Sequence, residues 1–325
     1  MYRRIALLFA VACTLVVCAA AQAQPRTFPG KPVRVIVPYP AGSQLDVVVR
    51  SLAAEMGKGW GQGVVVENRP GAGAIIGADA CAKSAPDGYT VCVLDKGPMS
   101  YAPYLVKNLA YDPTKDFEPV AVLFELVAAL IVNNALQVQS FDDFVKTAKA
   151  RPNTINFGSV GEGSMPHIVI ESISRKRGLA LVHVPYPGPP PMLQAFMAGD
   201  IHVAYQSVGA ISGVIRAGKA KPIAQGGTSR SPLMPTVPTL AELGIDVDDS
   251  VWFALFAPAG TPKEVVGRYY EELARAFAIP QVRDERMLEQ GFAPTLRPAA
   301  ELARLMATDR VRAGEVVREI GLTPR

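Results

Sequence analysis

Three histidines and four cysteines are spread over 325 residues, and that scarcity excludes whole classes of chemistry. No C-x-x-C or H-E-x-x-H occurs, and His167, His183 and His202 lack metal-ligand spacing, so no metal site and no cofactor is expected. There is no G-x-S-x-G elbow for a hydrolytic serine. An excess of one charge is missing too: 33 basic against 29 acidic side chains give nothing to recruit nucleic acid or an anionic membrane. Internal repeats and low-complexity tracts are also lacking. The long apolar run is confined to the first residues, where Arg3, Arg4, a stretch over 5–20 and Ala21-Gln22-Ala23 read as a Sec export leader, residues 1–23. That run falls short of the ~20 residues of a membrane span, so the mature chain is expected to be soluble and periplasmic. Cys81 and Cys92 survive cleavage. In an oxidising compartment they either pair or remain two small buried side chains, and the geometry that decides is not in the sequence.

What is present is alternation. Strand signals at 33–37, 64–67, 90–94, 155–158, 181–185, 202–206 and 250–257 alternate, for most of the chain, with helix signals. The helices are expected at 46–57, 74–83, 141–150, 165–177, near 192–198, 262–277, 281–290 and 299–320. Such alternation predicts an α/β protein with parallel-rich sheets. The apolar run over 123–133 is placed to cross between domains. The simplest division has a first lobe of 25–125 and 250–325 around an inserted lobe of 126–249, with hinge strands near 126–132 and 252–256.

Two turn-to-helix junctions carry the chemistry. VRVIVPYPAGSQLDVVVR is a buried strand that breaks at Pro38 and Pro40, turns through Gly42 and starts a helix at Asp46. Ser43 and Asp46 can each accept from backbone donors there. The second junction, Gly158-Ser159-Val160-Gly161-Glu162-Gly163-Ser164, opens the helix that contains His167. On opposite lobes, the two would offer N–H groups and positive dipole ends to an anion without an arginine clamp. Glycine turns of this kind also serve merely as connections. Asp46 reads equally as ligand contact or loop-organising cap. His167 reads as packed or hydrogen-bonded rather than as a general base. Tyr39 and Tyr186 each follow a strand, where a ring either walls a cleft or joins the core. A competing reading takes Gly71, Gly73 and Gly77 as a dinucleotide fingerprint with Asp95 after the next strand, in an exported nicotinamide-dependent oxidoreductase. Against it, Asn68-Arg69-Pro70 separates strand from glycines, where the turn should be immediate.

Several stretches together resemble a known family. VPYPAGSQLDVVVR, VVVENRPGAGAIIGADACAKSAPDGYT, LAYDPTKDFEPVAVL, NFGSVGEGSMPHI, HVPYPG, MAGDIHVAY, SRSPLMPTVPTLAELG and WFALFAPAGTP are similar to the periplasmic receptors of the tripartite tricarboxylate transporter type, also called Bug receptors. The resemblance covers essentially the whole mature chain, and ENRPGAG with PDGYT is its most specific part. It implies a two-lobed, type II Venus-flytrap fold that captures a small carboxylate. The expected partners are membrane permease subunits or, as in some members, a sensor protein; the expected state is a monomer.

The candidate ligand set is Tyr39, Ala41, Gly42, Ser43, Gln44, Asp46, Lys96, Ser159, Gly161, Ser164, His167, Tyr186 and Gln206. Departures from the family's habit bear on ligand choice. Gln206 stands where an acid is usual, Pro187-Gly188 replaces K-G ahead of three more prolines, and Asp95-Lys96 replaces small hydroxyl and glycine residues. Lys96 reads either as a mobile positive charge in the cleft or as a solvated loop lysine. Losing the acid removes the best match for an amino group, so a carboxylate without an amine is the expected ligand.

Overall fold

The structure, a computed structural model, describes residues 28–227, 229–247 and 249–324; the leader assigned to 1–23 lies outside them. Strand β1 (Val33–Val37) is followed by helix α1 (Gln44–Trp60), β2 (Val64–Asn68), α2 (Ile75–Ala82) and β3 (Thr90–Asp95). A π-helical turn, Gly97–Tyr101, runs into the short α3 (Ala102–Leu105), then β4 (Phe117–Leu126) and β5 (Ala128–Asn133). Next come α4 (Phe141–Ala150), β6 (Asn156–Ser159), α5 (Met165–Arg177), β7 (Val182–Pro185), α6 (Pro189–Ala198), β8 (Val203–Ser207), α7 (Val208–Arg216) and β9 (Ala220–Gln225). The chain closes with β10 (Trp252–Pro258), α8 (Lys263–Phe277), β11 (Phe292–Pro298) and α9 (Ala299–Ile320).

Two mixed sheets result, ordered β11-β4-β10-β3-β1-β2 and β7-β6-β8-β5-β9. Each has a parallel trio, β2-β1-β3 and β7-β6-β8, with one antiparallel strand beside the third. In both cases that antiparallel strand, β10 or β5, follows directly on chain that has crossed from the other sheet. Period-2 alternation puts Val33, Val35 and Val37 on one face of the first sheet and Ile36 on the other. Leu45, Val48, Leu52, Tyr269 and Leu273 from α1 and α8 cover the first face; Ala78, Leu302 and Met306 from α2 and α9 cover the second. The second sheet is sandwiched likewise by Phe144 and Ile170 from α4 and α5, and by Phe196 and Ile211 from α6 and α7. Burying both faces is what permits strands of near-continuous apolar sequence.

Between the sheets the chain passes straight from β4 to β5 at Val127, whose N–H donates to Gly291 O (2.8 Å) and whose carbonyl accepts from Val208 N (2.8 Å). The return crossing precedes Trp252. Leu126 N bonds Val251 O at 2.8 Å, and β10 lies wholly inside the first sheet. The hinge expected at 252–256 is corrected accordingly, because 252–256 are laddered to β4 and 253–256 to β3 as well. Cys81 and Cys92 form a disulfide, Cα atoms 6.1 Å apart, that clips α2 to β3. No helix among the described residues is long and apolar enough to cross a membrane.

Candidate functional site

Parallel strands deliver their carboxyl ends to one edge, and a crevice outside those ends is where open α/β sheets bind ligands. Here the two edges meet. Gln44, the first residue of α1 beyond the end of β1, accepts from Ser207 Oγ (2.7 Å) at the end of β8 and donates to Gln290 O (3.0 Å). The turns after β1 and β3 therefore confront those after β6 and β8.

On the first lobe the turn is built by Asp46. Its carboxylate accepts from Gly42 N (2.8 Å), Arg50 Nε (2.9 Å) and Asn68 Nδ2 (2.8 Å), while Ser43 Oγ caps Asp46 N at 3.3 Å. Burial works to raise this carboxyl, and the bonds from Arg50, Gly42 and Asn68 with the Arg50 charge outweigh it, so its pKa is lowered. With its oxygens spent and the side chain buried, Asp46 organises the loop rather than presenting itself to solvent. Ala41 and Gly42 are exposed and Ser43 is half-buried. Tyr39, half-buried, packs its ring on Phe253 and donates its hydroxyl to Asp95. Asp95 also accepts from Gly97 N (2.6 Å). Its pKa rises to about 6 because burial outweighs both hydrogen bonds.

Lys96 requires a correction. It is fully buried, neither solvated nor a mobile charge in the crevice: Nζ contacts Ser250 O and Oγ (3.3 Å each) and pairs with Asp309 at 3.5 Å. A lysine so placed is tolerated because Asp309, on α9, compensates its charge.

On the second lobe Ser159 is fully buried as well. Its Oγ lies 2.7 Å from His183 Nε2, donates to Gly161 O (3.0 Å) and accepts from Gly161 N (3.2 Å), so it shapes the loop rather than facing an open cleft. His167 is packed and hydrogen-bonded: its ring stacks on His183 with centroids 4.0 Å apart, and Nδ1 accepts from Gly163 N at 3.0 Å. Burial, then the neighbouring His183, lowers its pKa to about 4 against the pull of Glu162. Ser164 is the N-cap position of α5, yet its Oγ turns back to donate to Gly161 O at 2.6 Å, leaving the helix start uncovered by a side chain. Gly161 has φ +121, and a Cβ there would meet no atom within 4 Å. Tyr186 is half-buried against the α6–α7 core and its N–H donates to Ser159 O (2.9 Å). Gln206 is buried, with Nε2 3.6 Å from Met192 Sδ. Ser207 and Gln290 were not singled out by sequence; Ser207 as N-cap of α7, bonding Ala210 N at 3.2 Å, was open to recognition from its residue type.

The glycines at 71, 73 and 77 follow an edge strand. Asn68 is bonded to Tyr39 O and Asp46, and a Cβ at Gly77 would lie 2.6 Å from Pro38 Cβ. Close packing against β1's turn accounts for that glycine, and Asp95 is occupied by Tyr39 rather than set out for a ribose.

Residues 48–322 match the family described as the tripartite tricarboxylate transporter family receptor. The chain belongs to that family. The protein BugT of Bordetella pertussis is 34% identical over 307 residues, 93% of each chain. Among solved structures, R. palustris Rpa4515 with adipate superposes with TM-score 0.83 at 29% identity, covering 92% of this chain and all of that one. MatC from Rhodopseudomonas palustris, with bound malate, gives TM-score 0.76 at 32% identity, covering 89% and 100%. The two-sheet α/β fold is that of a periplasmic binding protein, as the match to BugD at TM-score 0.79 and 28% identity also shows.

Proposed function

We propose that the protein captures a small carboxylate lacking an amine between two lobes, 25–125 with 250–325 and 126–249, and delivers it to the permease subunits of a tripartite transporter. The observation that carries this reading is the confrontation of helix starts across the Gln44–Ser207 hydrogen bond. That bond joins the first residue of α1 to the N-cap of α7, and α5 starts beyond the end of β6, the parallel neighbour of β8. Helix starts favour anions, so these starts would offer backbone donors to a carboxylate. Structural relatives holding adipate and malate support a carboxylate as the ligand class. Export to the periplasm through the 1–23 leader, and a monomer in solution, belong to the same reading.

Gln206 supports the exclusion of amines, since an amide carries no charge to match an ammonium. The test is calorimetric titration with matched pairs, succinate against aspartate and benzoate against an aromatic amino acid. Tighter binding of the amine-free member is expected; tighter binding of the amino acids would reject the reading of Gln206.

A further inference from the structure

Helix α6 begins on an unusual run. Gly188 is its N-cap, and Pro189, Pro190 and Pro191 fill its first three helical positions. Proline suits the first turn of a helix but has no N–H, so the donors that a helix start normally presents are deleted here. Position makes this matter. β7 runs parallel to β6 and in register with it, so residues 186–191 emerge at the same edge as the β6–α5 loop. Tyr186 N, bonded to Ser159 O at 2.9 Å, holds the two turns side by side. What α6 offers at that edge is the half-buried Tyr186 ring and the exposed rings of Pro187, Pro189 and Pro190.

Charge tells the same story. The turns at 39–44, 159–164, 186–191 and 206–210 contain no lysine or arginine and one acid, Glu162. Lys96 is buried on Asp309, Arg50 is bonded to Asp46 and Asn68, and Arg230 beyond β9 is paired with Glu242 at 2.8 Å. One carboxylate can be met by the helix starts of α1 and α5. A second, reaching toward α6, would leave water for a surface that holds no cation and, with 189–191 all proline, few donors beyond the Tyr186 hydroxyl and the Gly188 N–H, which an ionised group resists.

We propose that this crevice selects monocarboxylates with an uncharged, apolar body, which lies against Tyr186 and the proline start of α6. The inference rests on the carboxylate-receptor reading and narrows it. The experiment titrates the purified mature protein calorimetrically with hexanoate against adipate and benzoate against terephthalate. The monocarboxylate of each pair should bind about tenfold tighter or more, a gap of about 1.4 kcal/mol. The double variant Pro190→Ala/Pro191→Ala restores two N–H groups without disturbing a helix-compatible start, and should narrow the hexanoate–adipate gap by strengthening adipate. Tighter adipate or terephthalate binding by the wild type overturns the proposal, as does an unchanged gap in a folded double variant. Binding of none of the four ligands by folded protein would instead bring down the carboxylate-receptor reading itself.

Discussion

Asp46 holds the first-lobe turn through three donors, and its removal leaves Gly42 N–H and the Asn68 amide facing an empty space. Asp46→Ala should cost about 2 kcal/mol in urea unfolding. Because its pKa is lowered, its contribution is complete above the unfolded carboxylate value of ~3.9 and fades as the pH falls through the folded value. Asp95 behaves oppositely. Its folded pKa of about 6 means that the native state keeps a proton the unfolded chain has already lost. Stability from this group therefore falls as pH rises from ~3.9 to 6, by up to roughly 3 kcal/mol. Asp95→Asn should remove that slope, read as the change in urea midpoint between pH 4 and pH 7; an unaltered slope would contradict the buried, proton-holding carboxyl. At this scale sequence was a partial guide. Ser43 and Asp46 announced a cap because their partners lie within a few residues, whereas the fates of Lys96 and Ser159 depend on Asp309 and His183, contacts that no local pattern encodes.

Among the elements, α5 and α9 have the bounds expected of them, since Ser164, Gly178 and Gly321 punctuate their ends. α6 starts earlier than its apolar pattern because three prolines conceal a helix start that they in fact permit. α7 escaped notice with two glycines in nine residues, and β11 reads as loop with prolines at both 294 and 298; neighbouring strands, not propensity, make it a strand. The β6–α5 loop carries its own pH dependence. Protonated His167 cannot accept from Gly163 N, and with the folded pKa near 4 against ~6.5 unfolded, stability rises with pH between those values. Amide exchange at Gly163, corrected for intrinsic rate, should lose protection as the pH falls through about 4, between pH 5.5 and pH 3; constant protection across that range would contradict the Nδ1 acceptor. Cys81 and Cys92 join α2 to β3 across eleven residues of sequence, and replacing both with alanine should lower stability by about 2–3 kcal/mol in thermal or urea unfolding.

For the molecule as a whole, the lobes come close where Gly209 faces Gln290 and Gly291. A Cβ at Gly209 would sit 2.5 Å from Gln290 O, and one at Gly291 2.7 Å from Gly209 N. Gly209→Val should therefore push the strand ends apart, costing about 2 kcal/mol or more, as overpacking a tight contact does. It should also break the Gln44–Ser207 bridge and raise the radius of gyration in solution scattering. A variant as compact and as stable as wild type would show that this contact does not set the spacing of the lobes. Along the opposite flank α9 reaches the second lobe, where Arg175 donates to Ile320 O (2.7 Å) and Arg312 meets Asp246 at 2.5 Å.

The strand β4 pairs only with β10 and β11, both of which come after the entire second sheet in the chain. During synthesis, then, a ten-residue, largely apolar strand leaves the ribosome well before either of its neighbours exists. The first sheet cannot close until translation has passed residue 258, and until then that segment is a sticky edge of the kind that recruits chaperones or aggregates. Interleaving the two sheets thus delays the nascent chain's native state until almost all of it has been made.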